Sequence, residues 1–366
     1  MLYKNMKVIT SRGIHRCDVE VDQGKITKIK RLIPGKGVNF KGHYVMPSVV
    51  DLHVHARDFN QAYKETVRTC TKAAVAGGIT TVVDMPNTDP PVTTETMFEK
   101  RRKLFEVNSM CDFAINFGVV DTLEEIKKVE PLFIKVYLAE TTGRLLFTGD
   151  AKALLRMKMP VAIHSDLITT RKWCKLRKGI LYVCHVASKA EIEFLRSQNV
   201  VREVTPHHLF LTRNNNPLYR VRPALGTEED RKALWENLKS IDVIASDHAP
   251  HTLQEKVEGA YGIAGIETML PLLINAFNQG ILSLHDIALR VSENPCKLLN
   301  LLLRLEKGFF VGADADFTVI DLKKQWTIKA LKFYSKVDHS PFEGWTIKGA
   351  ITKTILKGNT VYEADM

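Results

Sequence analysis

At 366 residues, with 45% apolar and 25% charged side chains, the chain is long enough for one large domain plus a smaller one and too apolar for a disordered protein. No run of about 18 or more apolar residues occurs, and the start MLYKNMKVITSRG lacks the apolar centre and cleavage site of a signal peptide, so a cytoplasmic protein outside the membrane is expected. The net charge of +11 is spread along the chain, which reads as a solvated basic face that could draw in a small polyanionic substrate, and no nucleic-acid partner is expected.

From Met1 to about Tyr44 the sequence shows short alternating segments such as KVIT, HRCDVEVD and KITKIKRLI, punctuated by Gly13, Gly24, Pro34 and Gly35. From Val45 the pattern changes to apolar strand runs separated by longer helical stretches, the mark of parallel βαβ units. The runs are YVMPSVVDLHVH, ITTVVDMPN, CDFAINFGVV, LFIKVYLA, PVAIHS, GILYVCHVA, VVREVTPHHLF and IDVIASDHAPH. Eight such units predict an α/β fold of the TIM (β/α)₈ barrel type. Helices follow at 268–278 and 284–303, and short strand patterns return in DFTVIDL, 346–356 and NTVYE. Both chain ends are therefore expected to pair in one small β-sandwich, giving boundaries of 1–45, 46–305 and 306–366. The six cysteines, Cys17, Cys70, Cys111, Cys174, Cys184 and Cys296, contain no CxxC pair and suit a reduced compartment.

In a TIM barrel the chemistry sits at the C-terminal strand ends. The predicted strands end in metal-ligand residue types: His53 and His55 on the first, Lys135 on the fourth, His164 on the fifth, His185 on the sixth, and Asp247, His248 and His251 on the eighth. Residues two apart on a strand share a face, so His53 and His55 can converge on one ion. Each histidine alone is more simply a hydrogen-bonded core residue; five strand ends drawing on only 12 histidines make the joint reading a metal site. Imidazole and carboxylate donors suit zinc, with manganese and cobalt as alternatives. Lys135 is the odd member, because an ammonium repels cations. Its plain role is a salt bridge, whereas a carbamate formed with carbon dioxide would offer two oxygens to two ions.

The segments DLHVHAR and GGITTVVDMPNT resemble the amidohydrolase superfamily and, within it, the dihydroorotases. IKVYLAET, CHVASKAEI, EVTPHHLFL, VRPALG and ALWENLKSIDVIASDHAPHTLQEK are similar to the dihydroorotase domain of the animal multifunctional pyrimidine-synthesis protein. The resemblance runs from about Met46 to Leu303, and GADADFTVIDL resembles the superfamily's closing strands. It implies two zinc ions, one on His53, His55 and Asp247 and one on His164 and His185, bridged by a carbamate on Lys135 and a hydroxide. Glu203 matches a third zinc position, with a hydrogen-bond acceptor behind a ligand as its alternative role. Arg57, Asn87, Arg222 and His251 match the grip on the substrate carboxylate and ring, and Thr141 and Thr142 a loop that closes over substrate.

Two departures stand out: Arg57-Asp58-Phe59-Asn60 replaces the family's Pro-Gly turn, and His164 is followed by Ser165-Asp166 instead of Ala-Glu. The implied activity is the reversible cyclisation of N-carbamoyl-L-aspartate to L-dihydroorotate in pyrimidine biosynthesis. Asp247 would take the attacking hydroxide's proton and pass it to the leaving nitrogen. A homodimer and a complex with aspartate carbamoyltransferase are the implied assemblies. The alternatives are a hydantoinase or allantoinase, or a catalytically silent scaffold for aspartate carbamoyltransferase.

Overall fold

The computed structural model describes residues 1–139, 145–157 and 159–365. Its strands are β1 (Leu2–Thr10), β2 (Gly13–Asp22), β3 (Lys25–Lys30), β4 (Val38–Asn39), β5 (Tyr44–Pro47), β6 (Val50–Val54), β7 (Thr81–Asp84), β8 (Asp112–Ile115) and β9 (Phe117–Val119). They continue as β10 (Ile134–Tyr137), β11 (Val161–His164), β12 (Leu181–Val183), β13 (Val201–Val204), β14 (Val243–Ile244), β15 (Phe317–Thr327), β16 (Thr346–Leu356) and β17 (Asn359–Glu363).

The fold is α/β, and each of the eight apolar runs contains parallel strand. Strands β6, β7 and β8 form one parallel sheet, and β9 to β14 follow in sequence order in a second. At one side the two sheets are separated only by the buried Asn116, between β8 and β9. At the other, Val54 makes a parallel bridge to His248, with the His55 amide donating to the His248 carbonyl at 2.8 Å. Strands such as β6, β7, β10 and β11 are buried at every position, which is why they read as continuous apolar runs and not as alternating ones. Helix starts are written into the sequence as caps: Thr66 with Thr69, Ser188 with Glu191, and Thr252 with Glu255 form reciprocal pairs at their helix N-termini.

Both chain ends join one eight-stranded sheet, ordered β17-β16-β15-β5-β1-β2-β3 with β4 on β1. The long run YVMPSVVDLHVH is split between sheets. Tyr44–Pro47 pairs with β1 and β15, then Ser48, at φ 44°, turns the chain into β6. A second difference lies in VVREVTPHHLF, where the strand stops at Val204 and Pro206–Phe210 is helical. Thr205 caps that turn and Pro206 occupies a first-turn position where its missing N–H costs nothing.

The terminal sheet is fastened to the parallel part at two places. A Cβ on Gly349 would come within 2.2 Å of Ile274, so only glycine lets β16 lie this close to helix Met269–Asn278. Asn275 and Asn278 then bond the Lys348 amide and carbonyl at 2.9 and 2.8 Å. Elsewhere the buried Lys307 ammonium touches Asp112 and lies 2.8 Å from Asp314 and 2.6 Å from Asp316, filling a carboxylate cluster that would otherwise suit a metal. All six cysteines are free and buried.

Candidate active site

The C-terminal ends of the parallel strands converge on one cavity. His53, His55, Lys135, His164, His185 and Asp247 line it together with Arg57, Asn87, Arg222, Tyr137, Tyr261, Ala249 and Gly262. His53 and His55 lie on and just beyond β6 with ring centroids 5.3 Å apart, as the two-residue strand period requires. Their Nε2 atoms face the same Asp247 Oδ1, at 3.4 and 3.0 Å. His164 Nδ1 is 2.7 Å from His185 Nε2. His185 and Asp247 hold left-handed backbone at φ 38° and 45°, a local strain that turns both side chains inward.

Three residues support these rings. Glu203, fully buried on β13, places Oε1 2.8 Å from His53 Nδ1 and 2.8 Å from the His185 amide, while Oε2 accepts from Tyr182 at 2.6 Å. Asn87 Oδ1 lies 2.6 Å from His55 Nδ1, which assigns the Nδ1 proton to that ring and leaves its Nε2 lone pair toward Asp247's side of the cavity. Lys135 on β10 is 1% exposed, and its ammonium donates to Cys184 Sγ at 2.8 Å; no carboxylate pairs with it among the described residues.

Charge divides the histidines. Burial opposes a charge on His53, but the Glu203 and Asp247 carboxylates outweigh it and push its pKa up to about 10. Burial lowers His55 to about 4, and burial with the Lys135 charge lowers His164 to about 3; His185 is also driven well below its usual range. Burial pushes Asp247 toward neutrality, yet His53 and His55 hold it well below the ordinary carboxylate range. Neutral, buried imidazoles offer lone pairs, and His185 Nδ1 has no hydrogen-bond partner among the described residues. His53, His55 and Asp247, and separately His53, Cys184 and Glu203, bring ligand atoms close enough to share an ion. This donor chemistry fits a bound metal.

On one side of the cavity lies a cationic seat. Arg57, 2% exposed, places Nη2 3.1 Å from His251 Nε2, donates from Nε to the Pro250 carbonyl at 3.3 Å, and leaves Nη1 without a partner among the described residues. Arg222 donates to the Tyr261 hydroxyl at 3.1 Å. The missing Pro-Gly turn is replaced by three consecutive left-handed residues, Arg57, Asp58 and Phe59. Asp58 accepts from the Phe59 and Val67 amides at 3.1 and 2.9 Å, and Arg101, ion-paired with Asp84 at 2.8 Å, donates to the Arg57 carbonyl at 2.8 Å. The second departure has a local role: Asp166 caps helix Leu167–Leu176 through the Thr169 amide at 2.8 Å, and Ser165 bonds Thr170 at 2.6 Å.

Most of the sequence-predicted residues therefore meet here. Thr141 and Thr142 lie outside the described residues. Tyr137, Cys184 and Tyr261 were missed. Tyr137 carried a signal, standing two residues after Lys135 on the same strand face, and Cys184 directly precedes His185; Tyr261 carried none.

An amidohydrolase family model matches residues 44–361. The dihydroorotase of Pyrococcus furiosus is 40% identical over 375 residues, covering 95% of this chain and 89% of that protein. The multifunctional protein CAD of Squalus acanthias is 34% identical over 341 residues, covering 87% of this chain and 15% of that protein. Among solved structures, the L-hydantoinase (dihydropyrimidinase) of Arthrobacter aurescens superposes with a TM-score of 0.91 at 26% identity, covering 99% of this chain and 96% of that one. Matched by the family model over most of its length, and by a dihydroorotase of 40% identity over 95% of it, the chain belongs to the amidohydrolase family, beside its dihydroorotases.

Proposed function

We propose that this hydrolase is a dihydroorotase, interconverting N-carbamoyl-L-aspartate and L-dihydroorotate. The observation that carries the reading is the buried Arg57 guanidinium, whose Nη1 has no partner among the described residues, set beside the imidazole and carboxylate cluster. Hydantoin and allantoin have no carboxylate for such a fork, whereas both proposed substrates carry one. Arg57, Asn87, Arg222 and His251 would bind and orient that group.

His53, His55, Lys135, His164, His185 and Asp247 would hold two zinc ions, with carbon dioxide on Lys135 as a carbamate. The carbamate reading is supported by the burial of Lys135 among imidazoles with no carboxylate partner among the described residues. Bound ions would supply an acidified water and a polarised ring carbonyl. Asp247, ionised by its histidine neighbours, would accept a proton at Oδ1 and return it to the ring nitrogen on opening. The three hydrogen bonds to Glu203 favour its role as an acceptor that orients His53 over that of a third zinc ligand.

We further propose that β6 to β14 close as a (β/α)₈ barrel. The sequence-ordered parallel pairing and the Val54–His248 bridge support closure. The small sandwich unit would comprise 1–45 and 306–366, and the barrel 46–305, with the crossover near Ser48. Turnover of dihydroorotate, hydantoin and allantoin, measured side by side on zinc-supplemented protein, tests the function. Preference for dihydroorotate is expected; preference for either uncarboxylated ring would reassign the chain to another cyclic amidase.

A further inference from the structure

Two buried or partly buried groups outside the proposed reaction stand behind His251. Lys64, 3% exposed, lies 3.3 Å from His251 Nδ1 and donates to Glu255 Oε1 at 2.8 Å. Glu255 Oε2 lies 3.3 Å from the same Nδ1. Glu255 is itself fixed by the Tyr63 hydroxyl at 2.7 Å and the Thr252 amide at 2.9 Å.

Arginine has only donors, so the nitrogen facing Arg57, His251 Nε2, must present its lone pair. The ring is neutral, since burial together with the Arg57 and Lys64 charges lowers its pKa to about 3 despite Glu255. Donors face both nitrogens, Arg57 at Nε2 and Lys64 at Nδ1, but the acceptor, Glu255, stands only at Nδ1, so the ring's single proton is assigned to Nδ1, where Glu255 accepts it. In this form Nε2 cannot donate to an anion. A substrate carboxylate seated on Arg57 offers only acceptors, so His251 can grip it only with the proton on Nε2. Nδ1 is then bare, and the Lys64 ammonium is the donor beside it.

We propose that Lys64 and Glu255 are positioning residues that hold His251 in either neutral tautomer, Glu255 serving the free seat and Lys64 the carboxylate-bound seat. Nδ1 gives its proton to solvent by way of the 23% exposed Glu255 side chain, and Nε2 takes one from water, so the ring's charge is unchanged. This rests on the dihydroorotase reading and adds two residues to its carboxylate seat.

The test is ¹⁵N-histidine NMR of the zinc-loaded protein, with the His251 signal identified by its loss in His251→Asn. Spectra are compared without ligand and with an equilibrium mixture of N-carbamoyl-L-aspartate and dihydroorotate. The proton is expected on Nδ1 in the free protein and on Nε2 in the presence of the mixture. Alongside, Lys64→Met should raise KM for N-carbamoyl-L-aspartate by about tenfold or more, the scale of one charge-assisted hydrogen bond, with a much smaller change in kcat. Lys64→Arg, which keeps a donor, should recover most of the loss. A parent that does not turn over dihydroorotate overturns the dihydroorotase reading, and this proposal with it. An active parent whose His251 keeps one tautomer throughout overturns this proposal alone, as does a folded Lys64→Met with the parent's KM.

Discussion

Glu203 stands directly behind His53, its Oε1 2.8 Å from the ring Nδ1, while the ring's Nε2 points to Asp247 across the cavity. One carboxylate thus fixes the aim of an imidazole whose other nitrogen faces the candidate metal position. Glu203→Gln should weaken metal binding by about 10- to 100-fold, as loss of such an orienting partner does elsewhere. Competition with a chelator measures it; an unchanged affinity would remove Glu203 from the support of the site.

Arg57→Met should leave metal content intact and lower kcat/KM for N-carbamoyl-L-aspartate by about tenfold or more, because a charge-assisted hydrogen bond is worth roughly 1.5–3 kcal/mol. The Arg101 bond goes to the Arg57 backbone carbonyl, so the loop should survive the substitution. Parent-like kinetics in a metal-loaded variant would sink the carboxylate assignment.

Lys135→Ala should lose metal and most activity if Lys135 is carbamylated, and a small carboxylic acid should restore part of both by occupying the vacated space. Intact mass under native conditions should show the added carbon dioxide, and metal uptake should fall in buffer stripped of it. Equal metal binding with and without bicarbonate, together with a parent-like Lys135→Ala, would return this lysine to a structural role.

Away from the cavity, Glu267 accepts from the Tyr334 and Ser335 amides at 2.7 and 3.2 Å, and burial pushes its pKa up to about 8. A carboxyl with a raised folded-state pKa contributes stability that is fully present below its ordinary value of 4.5 and lost as pH climbs through 8. Glu267→Gln keeps an oxygen for both amides and cannot ionise. It should match the parent near pH 5 and exceed it near pH 9 by about 1–2 kcal/mol, a figure reduced for the side chain's partial exposure. Denaturant unfolding at the two pH values checks this; a constant difference would show that Glu267 ionises freely in the folded chain.

The strand runs were readable because parallel strands covered on both faces must be apolar throughout, and His53, His55, His164 and His185 were readable because they stand at or beside the ends of such runs. The misread portions share a cause. In YVMPSVVDLHVH one apolar run serves two sheets, and nothing local marks the handover except Ser48, whose φ of 44° is imposed by the sheets it joins. In VVREVTPHHLF the apolar pattern continues past the strand, while the Thr205 cap and Pro206 begin a helix.

The sequence by itself determined the eight parallel-strand runs, the chemical identity of most cavity residues and the shared face of His53 and His55, since strand period and strand-end position are local properties of the chain. Only the tertiary structure decided what stands behind each of them. Cys184 beside Lys135, Glu203 behind His53 and Lys64 behind His251 are separated in the chain by 49, 150 and 187 residues, so no local periodicity encodes their contact. They meet because the fold brings distant segments of the chain together around one cavity, and buried polar atoms must find their partners among neighbouring protein groups.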